Sequence, residues 1–427
     1  MKRFLLDTSV LIRTPDAMFR FEDNDVYICH TTLRELDELK GRVGDVGHSA
    51  RECIRNVFEL HNTTGTLINI PVGNGFFSVI EDKEEEGGSN SDVVVTTAKR
   101  NDMVLVTSDI SMYLKAKMQH CQVEMFRNET VDGTILTHTG RRDVFLNTEN
   151  ISSLYTNKRI PLPKECSDMN PNEYAILKDL TGTSQSGIAR RVGNELVLVR
   201  RDILNPYGIK ARNSGQVCAL DALMAPVDEI PLVFLIGPAG TAKTFLSMAA
   251  GLQQVEDKKY TRMLLLRPNI KFDDDIGYLK GDEVEKIRPL LRPCMDNLEA
   301  LIAPTIESTE YAREKVNNLF SRGTVEGEAL AYIRGRSIAN NFVVVDEAQN
   351  ATPKQMLGII SRVGAGTKIV VTGDPEQIDN PNVDKKNNGL VFAAERMAKS
   401  PLSAQIGFVN EECVRNPLAA EASKLLV

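Results

Sequence analysis

The stretch PLVFLIGPAGTAKTFLSMAAGL, residues 231–252, decides the fold of the C-terminal half of the chain. Its uninterrupted apolar start is typical of a strand buried on both faces of a parallel sheet. A Gly-rich segment follows at once, and an apolar helical pattern begins directly after it. In this order, backbone N–H groups and a helix N-terminus can surround a phosphate. We therefore predict a phosphate-binding loop at Gly237, Pro238, Ala239, Gly240, Thr241, Ala242, Lys243 and Thr244.

Two side chains of this loop have predicted roles. Lys243 would reach the β- and γ-phosphate oxygens, and Thr244 would place its hydroxyl on Mg²⁺. Ala242 stands where the usual pattern has glycine, so the loop is strained if that position needs a positive φ. The competing interpretation is a Gly-rich turn that happens to precede a helix.

Two further apolar runs supply possible partners for the loop. NFVVVDEAQN places Asp346 and Glu347 at the end of a strand, where Asp can hold Mg²⁺ and Glu can activate water. KIVVTGDPEQID ends another strand with Gln377, which is suited to sensing a γ-phosphate. A strand may end in Asp simply as a cap, but the combination with the loop predicts ATP hydrolysis.

DEAQN and GDPEQ resemble motifs II and III of superfamily 1 helicases. Together with RPNIKFDDDIGYLKGDEVEKIRPLLRP and YIRGRSIANNFVVVDEAQN they make residues 205–427 similar to the PhoH-like ATPases. The resemblance implies an ATP site formed by Lys243, Thr244, Asp346, Glu347 and Gln377. Lys280 departs from the family pattern, in which proline is expected.

The same resemblance implies two more ATP contacts. Gln216, with Asn213, matches a motif that contacts adenine, although an amphipathic helix explains both residues equally well. Arg415 matches an arginine that reaches a γ-phosphate, and it could do so from a neighbouring subunit. Its neighbour Asn416 departs from the expected serine.

The N-terminal segment alternates strand and helix patterns, which favours a parallel α/β sheet. Four carboxylates follow its elements: Asp7, Glu35, Asp92 and Asp109. A single carboxylate at such a position is more often a helix cap or a solvated side chain. In a parallel sheet, however, strand ends and helix starts converge at one edge, which would bring the four acids together. Four acids there would need a hard cation such as Mg²⁺ or Mn²⁺. With LLDTSVLI, RELDELK, SDVVVTTAK and VTSD around them, they resemble the PIN-domain nucleases.

The length and composition of the chain limit its possible domain organisation. The 427 residues carry 51 basic and 58 acidic side chains, a net charge of −7. We predict three parts: a PIN-like domain at 1–128, a small β-rich connector without a long helix at 129–204, and the P-loop ATPase at 205–427. The seven cysteines show no paired spacing, and the apolar runs are too short for a signal peptide or a membrane span. These features predict a cytoplasmic protein.

The two resemblances together point to the PIN–PhoH fusion proteins, and they imply ATP-dependent unwinding of RNA and ribonuclease activity. They also imply that single-stranded RNA is the partner. The expected assembly is a homo-oligomer, of which a hexameric ring is one possible form. Candidate RNA contacts are Arg267, Lys271, Arg334 and Arg336, for which solvated charge is the alternative. One rival is an RNA-binding ATPase switch whose PIN domain does not cut. The other, a small-molecule kinase, is disfavoured by the glutamines of DEAQN and GDPEQ.

Overall fold

The computed structural model describes residues 2–21, 23–42, 45–82, 89–126, 139–182, 185–268, 283–303, 309–330 and 338–413. The chain divides into two compact units, Met1–Asn128 and Glu129–Val427. Each unit is described by itself below. The further division of the second unit at residue 204 stays a prediction. Within the described part of the chain, no helix combines the length and apolar character needed to cross a membrane.

The first unit is a parallel-rich sheet with helices. In its described residues the strands are β1 (Arg3–Leu6), β2 (Asp25–Cys29), β3 (Ile70–Val72), β4 (Gly75–Ile80), β5 (Val104–Thr107) and β6 (Val123–Met125). The helices are α1 (Thr8–Arg13), α2 (His30–Leu39), α3 (Asp45–Thr64), α4 (Asn90–Arg100) and α5 (Ile110–Met118). The strand order is β3-β4-β2-β1-β5-β6, and β3 is antiparallel to β4 whereas the other pairs are parallel.

Strand β1 sits inside this sheet and is buried on both faces. Phe4 and Leu6 pack into the core on one side, and Leu5 packs into the core on the other. This alternation follows from the two-residue period of a strand. Because β1 lies between β2 and β5, the residues that follow β1 and β5 emerge side by side at one edge.

The second unit begins with a five-stranded sheet in the order β7-β9-β10-β11-β8. Its strands are β7 (Arg141–Leu146), β8 (Arg159–Pro161), β9 (Tyr174–Asp179), β10 (Ser186–Val192) and β11 (Glu195–Leu198). This region also contains one helix of ten residues, α6 (Thr148–Asn157), which the sequence pattern did not predict. Asn147 caps α6 by accepting from the Asn150 amide at 2.8 Å, and Ile151 and Leu154 bury its apolar face.

A six-stranded, fully parallel sheet follows in the order β14-β13-β15-β16-β12-β17. Its strands are β12 (Leu232–Ile236), β13 (Arg262–Arg267), β14 (Val325–Ala329), β15 (Asn341–Val345), β16 (Lys368–Gly373) and β17 (Ser403–Gly407). The helices described around it are α7 (Ser214–Met224), α8 (Lys243–Glu256), α9 (Glu283–Ile302), α10 (Thr309–Ser321), α11 (Pro353–Ile360) and α12 (Gly389–Met397).

The strand order of this sheet positions the site. Strand β12 lies beside β16, and β15 lies on the far side of β16, so three parallel strands end next to one another. Side chains of β12 alternate between two cores, with Val233 and Leu235 on one face and Phe234 on the other. Ligand sites of open parallel sheets form outside such strand ends. The predicted α/β class with a parallel sheet in each half is confirmed.

Candidate functional site

The loop after β12 has the backbone of a phosphate-binding loop. Gly237 has φ +144°, and a Cβ there would come within 2.6 Å of the Phe408 carbonyl oxygen, so only glycine fits. Ala242 has φ +70° and immediately precedes α8. A left-handed conformation costs a non-glycine residue roughly 1–2 kcal/mol, so the loop is strained at this position.

The ammonium of Lys243 is turned into the loop. Its Nζ donates to the carbonyl oxygens of Gly237 at 2.6 Å and Pro238 at 2.9 Å. Lys243 is only 8 % exposed. A buried ammonium needs hydrogen-bond acceptors, and here the carbonyl oxygens of its own loop supply them.

Asp346 joins the loop to the ends of β15 and β16. Its Oδ1 accepts hydrogen bonds from the hydroxyls of Thr244 at 2.7 Å and Thr372 at 2.8 Å. Asp346 is buried. The predicted loop threonine and the predicted acid therefore lie in direct contact, although 102 residues separate them in the chain.

Glu347 follows in a left-handed conformation, with φ +54°. Its Oε2 accepts a hydrogen bond of 2.6 Å from the amide of Gln349, which also donates to the Gln377 carbonyl at 2.9 Å. The Gln349 side-chain oxygen accepts from the Asp374 amide at 3.1 Å. Gln349 thus ties the end of β15 to the end of β16. This role of Gln349 was not predicted from the sequence, although the residue lies within the DEAQN motif.

Arg267, at the end of β13, also belongs to this site. Its Nε lies 3.3 Å from Asp346 Oδ2, and its Nη2 lies 3.3 Å from Glu347 Oε1. The RNA contact expected of Arg267 stays a prediction, and in the structure its charge faces the two acids. The register of β13 beside β15 brings it there, and the sequence alone does not give that register.

The side chain of Gln216 connects α7 to the phosphate-binding loop. Its side-chain oxygen accepts from the Arg212 amide at 2.8 Å, and its side-chain nitrogen lies 3.5 Å from the Thr241 carbonyl oxygen. Asn213 caps α7 by accepting from the Gln216 amide at 2.9 Å. Both residues therefore have structural partners, and their contact with adenine stays a prediction.

Three of the four N-terminal acids lie in one hydrogen-bonded region. Asp7 Oδ2 accepts from the hydroxyls of Ser9 at 2.5 Å and Thr107 at 2.9 Å. The Thr107 hydroxyl in turn accepts from the Asp109 amide at 3.0 Å. Glu35 accepts a hydrogen bond from the hydroxyl of Thr8, the residue next to Asp7. Hydroxyl groups close to these acids in the sequence therefore contact the carboxylates of Asp7 and Glu35.

The fourth acid, Asp92, has other partners. Ser89 caps α4, and Ser89 and Asp92 form a reciprocal capping box. Lys115 Nζ lies 2.6 Å from Asp92 Oδ1. Its hydrogen bond, with that of Ser89, lowers the pKa of Asp92 to about 2.

The four carboxylates have the right donor chemistry for Mg²⁺ or Mn²⁺. The structure does not bring all four together in one cluster, however. Across the described residues, no three Asp, Glu, His or Cys side chains converge to hold a metal ion. Asp92 is paired with a lysine, and Asp109 Oδ1 accepts from the Ser111 amide at 2.7 Å to cap α5.

Comparison with known proteins agrees with both halves of this arrangement. A family model described as PhoH-like protein matches residues 208–426, and one described as PIN domain matches residues 4–127. A protein named PhoH2 from Bacillus subtilis is 35 % identical over 100 % of both chains. The chain belongs to the PhoH2 family. It therefore joins a PIN domain to a PhoH-like P-loop domain, as the sequence motifs predicted.

Two other relatives show the extent of this likeness. A PhoH2 protein from Thermobispora bispora is 30 % identical over 100 % of this chain and 96 % of its own length. A PhoH-like protein from Synechocystis is 40 % identical over 45 % of this chain and 55 % of its own. PhoH2 relatives thus match along the whole chain, whereas the Synechocystis protein matches less than half of it.

Some predicted residues have no described placement. Arg415, with the candidate RNA contacts Lys271, Arg334 and Arg336, lies outside the described residues. The side chain of Gln377 is described and exposed, and its backbone carbonyl, rather than its amide, contacts Gln349. Its proposed contact with a γ-phosphate stays a prediction.

Proposed function

We propose that the P-loop domain hydrolyses ATP. The observation that carries this proposal is the 2.7 Å hydrogen bond between the Thr244 hydroxyl and Asp346, which joins the loop to the acid pair. A hydroxyl and a carboxylate side by side are oxygen donors suited to Mg²⁺. Thr244 and Asp346 would hold the ion, which neutralises phosphate charge when bound.

The remaining groups have complementary roles in this proposal. Lys243 exchanges its carbonyl partners for phosphate oxygens, and the N-terminus of α8 adds its partial positive charge. Glu347 acts as the base that activates the attacking water. Gln349 holds Glu347 and connects it to the end of β16, where Gln377 lies.

We further propose that ATP hydrolysis drives single-stranded RNA through or past the protein for unwinding, and that the PIN domain cuts RNA. The presence of a PIN domain and a PhoH-like domain in one chain supports this coupling. The proposed cutting edge carries Asp7, Glu35, Asp92 and Asp109. An RNA-binding switch with a PIN domain that does not cut is the second candidate, because the acids are not arranged around a metal site.

The assembly and the location of the protein are also proposals. We propose a cytoplasmic homo-oligomer, such as a hexameric ring, in which Arg415 reaches the ATP site of a neighbouring subunit. An arginine at the γ-phosphate stabilises the charge of the transition state, and supplying it in trans would couple the subunits.

The decisive experiment measures ATP turnover and RNA cleavage together on the purified full chain. We expect single-stranded RNA to stimulate ATP turnover, and labelled RNA to be cut when Mg²⁺ or Mn²⁺ is added. Glu347→Gln should lose ATP turnover. Asp7→Asn should lose cleavage and keep ATP turnover.

Other outcomes of this experiment select a different function. RNA-stimulated turnover without cleavage under any divalent ion would favour the switch. Transfer of phosphate to a small metabolite, without stimulation by RNA, would favour a kinase. No ATP turnover in the wild-type chain would contradict the proposal.

A further inference from the structure

The guanidinium of Arg267 contacts both acids of the proposed ATP site. In the parallel pairing of β13 with β15, Leu266 is the register partner of Val345, so Arg267 and Asp346 come next on the two strands. The Asp346 amide donates to the Leu266 carbonyl at 2.9 Å, which continues the ladder to this point. Arg267 is therefore fixed opposite the acid pair by the sheet itself.

Three different nitrogens of Arg267 are engaged. Nε faces Asp346 and Nη2 faces Glu347, each at 3.3 Å, while Nη1 donates to the Leu290 carbonyl at 2.8 Å. Leu290 lies in α9, and the same helix places the Cys294 thiol 3.9 Å from Asp346 Oδ2. Arg267 thus connects the two acids to the backbone of α9. Lysine, with one nitrogen on a flexible chain, cannot make this planar set of contacts.

Both oxygens of the Glu347 carboxylate have a donor beside them. Arg267 lies at Oε1, and Gln349 donates to Oε2. The carboxylate is therefore held from two sides, and its backbone is in the left-handed region. A group that must face a water molecule benefits from such fixed orientation, because small displacements reduce rates strongly.

We propose that Arg267 is a positioning residue for ATP hydrolysis, which orients Glu347 and Asp346 and links their orientation to the position of α9. This inference rests on the proposed ATPase function. It assigns Arg267 to the hydrolysis site instead of to RNA, and it does not require Arg267 to touch the nucleotide.

The test compares Arg267→Met, Arg267→Lys and Arg262→Met in the full chain without RNA. Arg262 begins the same strand and forms a half-exposed ion pair with Glu326, so it is a matched control for loss of an arginine from β13. The measurements are kcat for ATP, the Kd of a fluorescent non-hydrolysable ATP analogue, and the melting temperature. We expect Arg267→Met to lower kcat by about a hundredfold. The Kd should change by no more than about threefold, since the phosphate loop is intact.

The conservative variant and the control complete the test. We expect Arg267→Lys to recover part of the lost kcat, because one ammonium can still contact one acid, and Arg262→Met to behave like wild type. A kcat within twofold of wild type in Arg267→Met would overturn the inference. So would an equal loss of analogue binding, or an Arg267→Lys variant no better than Arg267→Met.

Two further results would separate a failure of this inference from a failure of the proposed ATPase function. Weaker RNA binding by Arg267→Met with an unchanged RNA-free kcat would overturn the inference and restore the RNA-contact interpretation. Absence of ATP turnover in the wild-type chain would instead contradict the proposed function on which the inference rests.

Discussion

Lys115 and Asp92 form an ion pair between α5 and α4, with 2.6 Å between the ammonium nitrogen and Oδ1. The two helices start near the edge of the sheet that carries the other PIN-domain acids, because Asp109 is the N-cap of α5. A protein cation therefore stands beside the carboxylate that was predicted to bind a metal ion. Any divalent ion that uses Asp92 has to compete with Lys115.

The first prediction follows from this competition. Lys115→Met removes a positive charge and frees Asp92, so we expect the Kd for Mn²⁺ to fall, by roughly five- to tenfold. Titration of free Mn²⁺ by electron paramagnetic resonance measures it. Lys117→Met is the control, since Lys117 lies over the Tyr113 ring on the same helix. An unchanged or higher Kd in Lys115→Met would show that Asp92 is not part of a metal site.

The second prediction concerns Lys243. Lys243→Ala should abolish ATP turnover, because a point charge on the γ-phosphate matters most in the transition state. The fold should persist, although the carbonyls of Gly237 and Pro238 lose their partner. ATPase assays and circular dichroism check both points. Wild-type turnover in the purified variant would refute the assignment of the loop.

The third prediction concerns strain at Ala242, whose φ is +70°. Ala242→Gly removes roughly 1–2 kcal/mol of strain. It also adds about 0.4–1 kcal/mol of unfolded-state entropy, so the net gain in stability should be about 0.5–1 kcal/mol. Urea unfolding of the full chain measures it. Ala239→Gly, in the same loop but without a positive φ, should be destabilising instead. Equal shifts in both variants would contradict the strain.

The fourth prediction concerns pH and the buried Lys368. Its ammonium donates to the carbonyls of Ala222 at 2.8 Å and Ala225 at 2.7 Å, at the end of α7. Burial, and then the charge of Arg190, lower the pKa of Lys368 to about 7. Between pH 7 and the ordinary lysine pKa the unfolded chain holds the extra proton. The stability of the native protein therefore rises with pH across this range.

The corresponding measurement compares wild type with Lys368→Met from pH 7 to pH 10. The free energy of unfolding of wild type should rise relative to the variant, by up to about 1.4 kcal/mol per pH unit. Parallel pH dependences in the two proteins would show that Lys368 titrates normally.

The fifth prediction tests Arg415 in trans. Arg415→Ala and Lys243→Ala subunits should each be inactive alone. Mixed assemblies contain some interfaces with an intact loop and an intact arginine, so ATP turnover should partly return. Light scattering with ATP present measures the assembly. A monodisperse monomer, or no recovery from freely exchanging subunits, would contradict the trans arrangement.

The parts of the fold that the sequence predicted are those with strong local patterns. The central strands β12, β15 and β16 are continuous apolar runs, and the loop after β12 is Gly-rich. The edge strands β14 and β17 went unpredicted because VEGEA and SAQIG mix polar with apolar residues. Strand β14 is only partly buried, whereas β17 is buried throughout although its composition gives no continuous apolar run.

In the candidate site, too, the sequence predicts residues within strong motifs better than contacts that depend on tertiary packing. Thr244 and Asp346 were predicted to act together, and they are in contact. Arg267 was not placed with them, because its position depends on which strands become neighbours in the sheet. The Lys115–Asp92 pair was missed for a similar reason, since it depends on how two helices pack.

The phosphate loop is held in shape by the protein's own groups. The Ala239 amide donates to Asp374 Oδ2 at 3.1 Å, and the Lys243 ammonium donates to the carbonyl oxygens of Gly237 and Pro238. Together with the positive φ angles of Gly237 and Ala242, these contacts define the conformation of the loop. The conformational entropy of ordering such a loop is lost when the domain folds, so less is left to lose when a ligand binds.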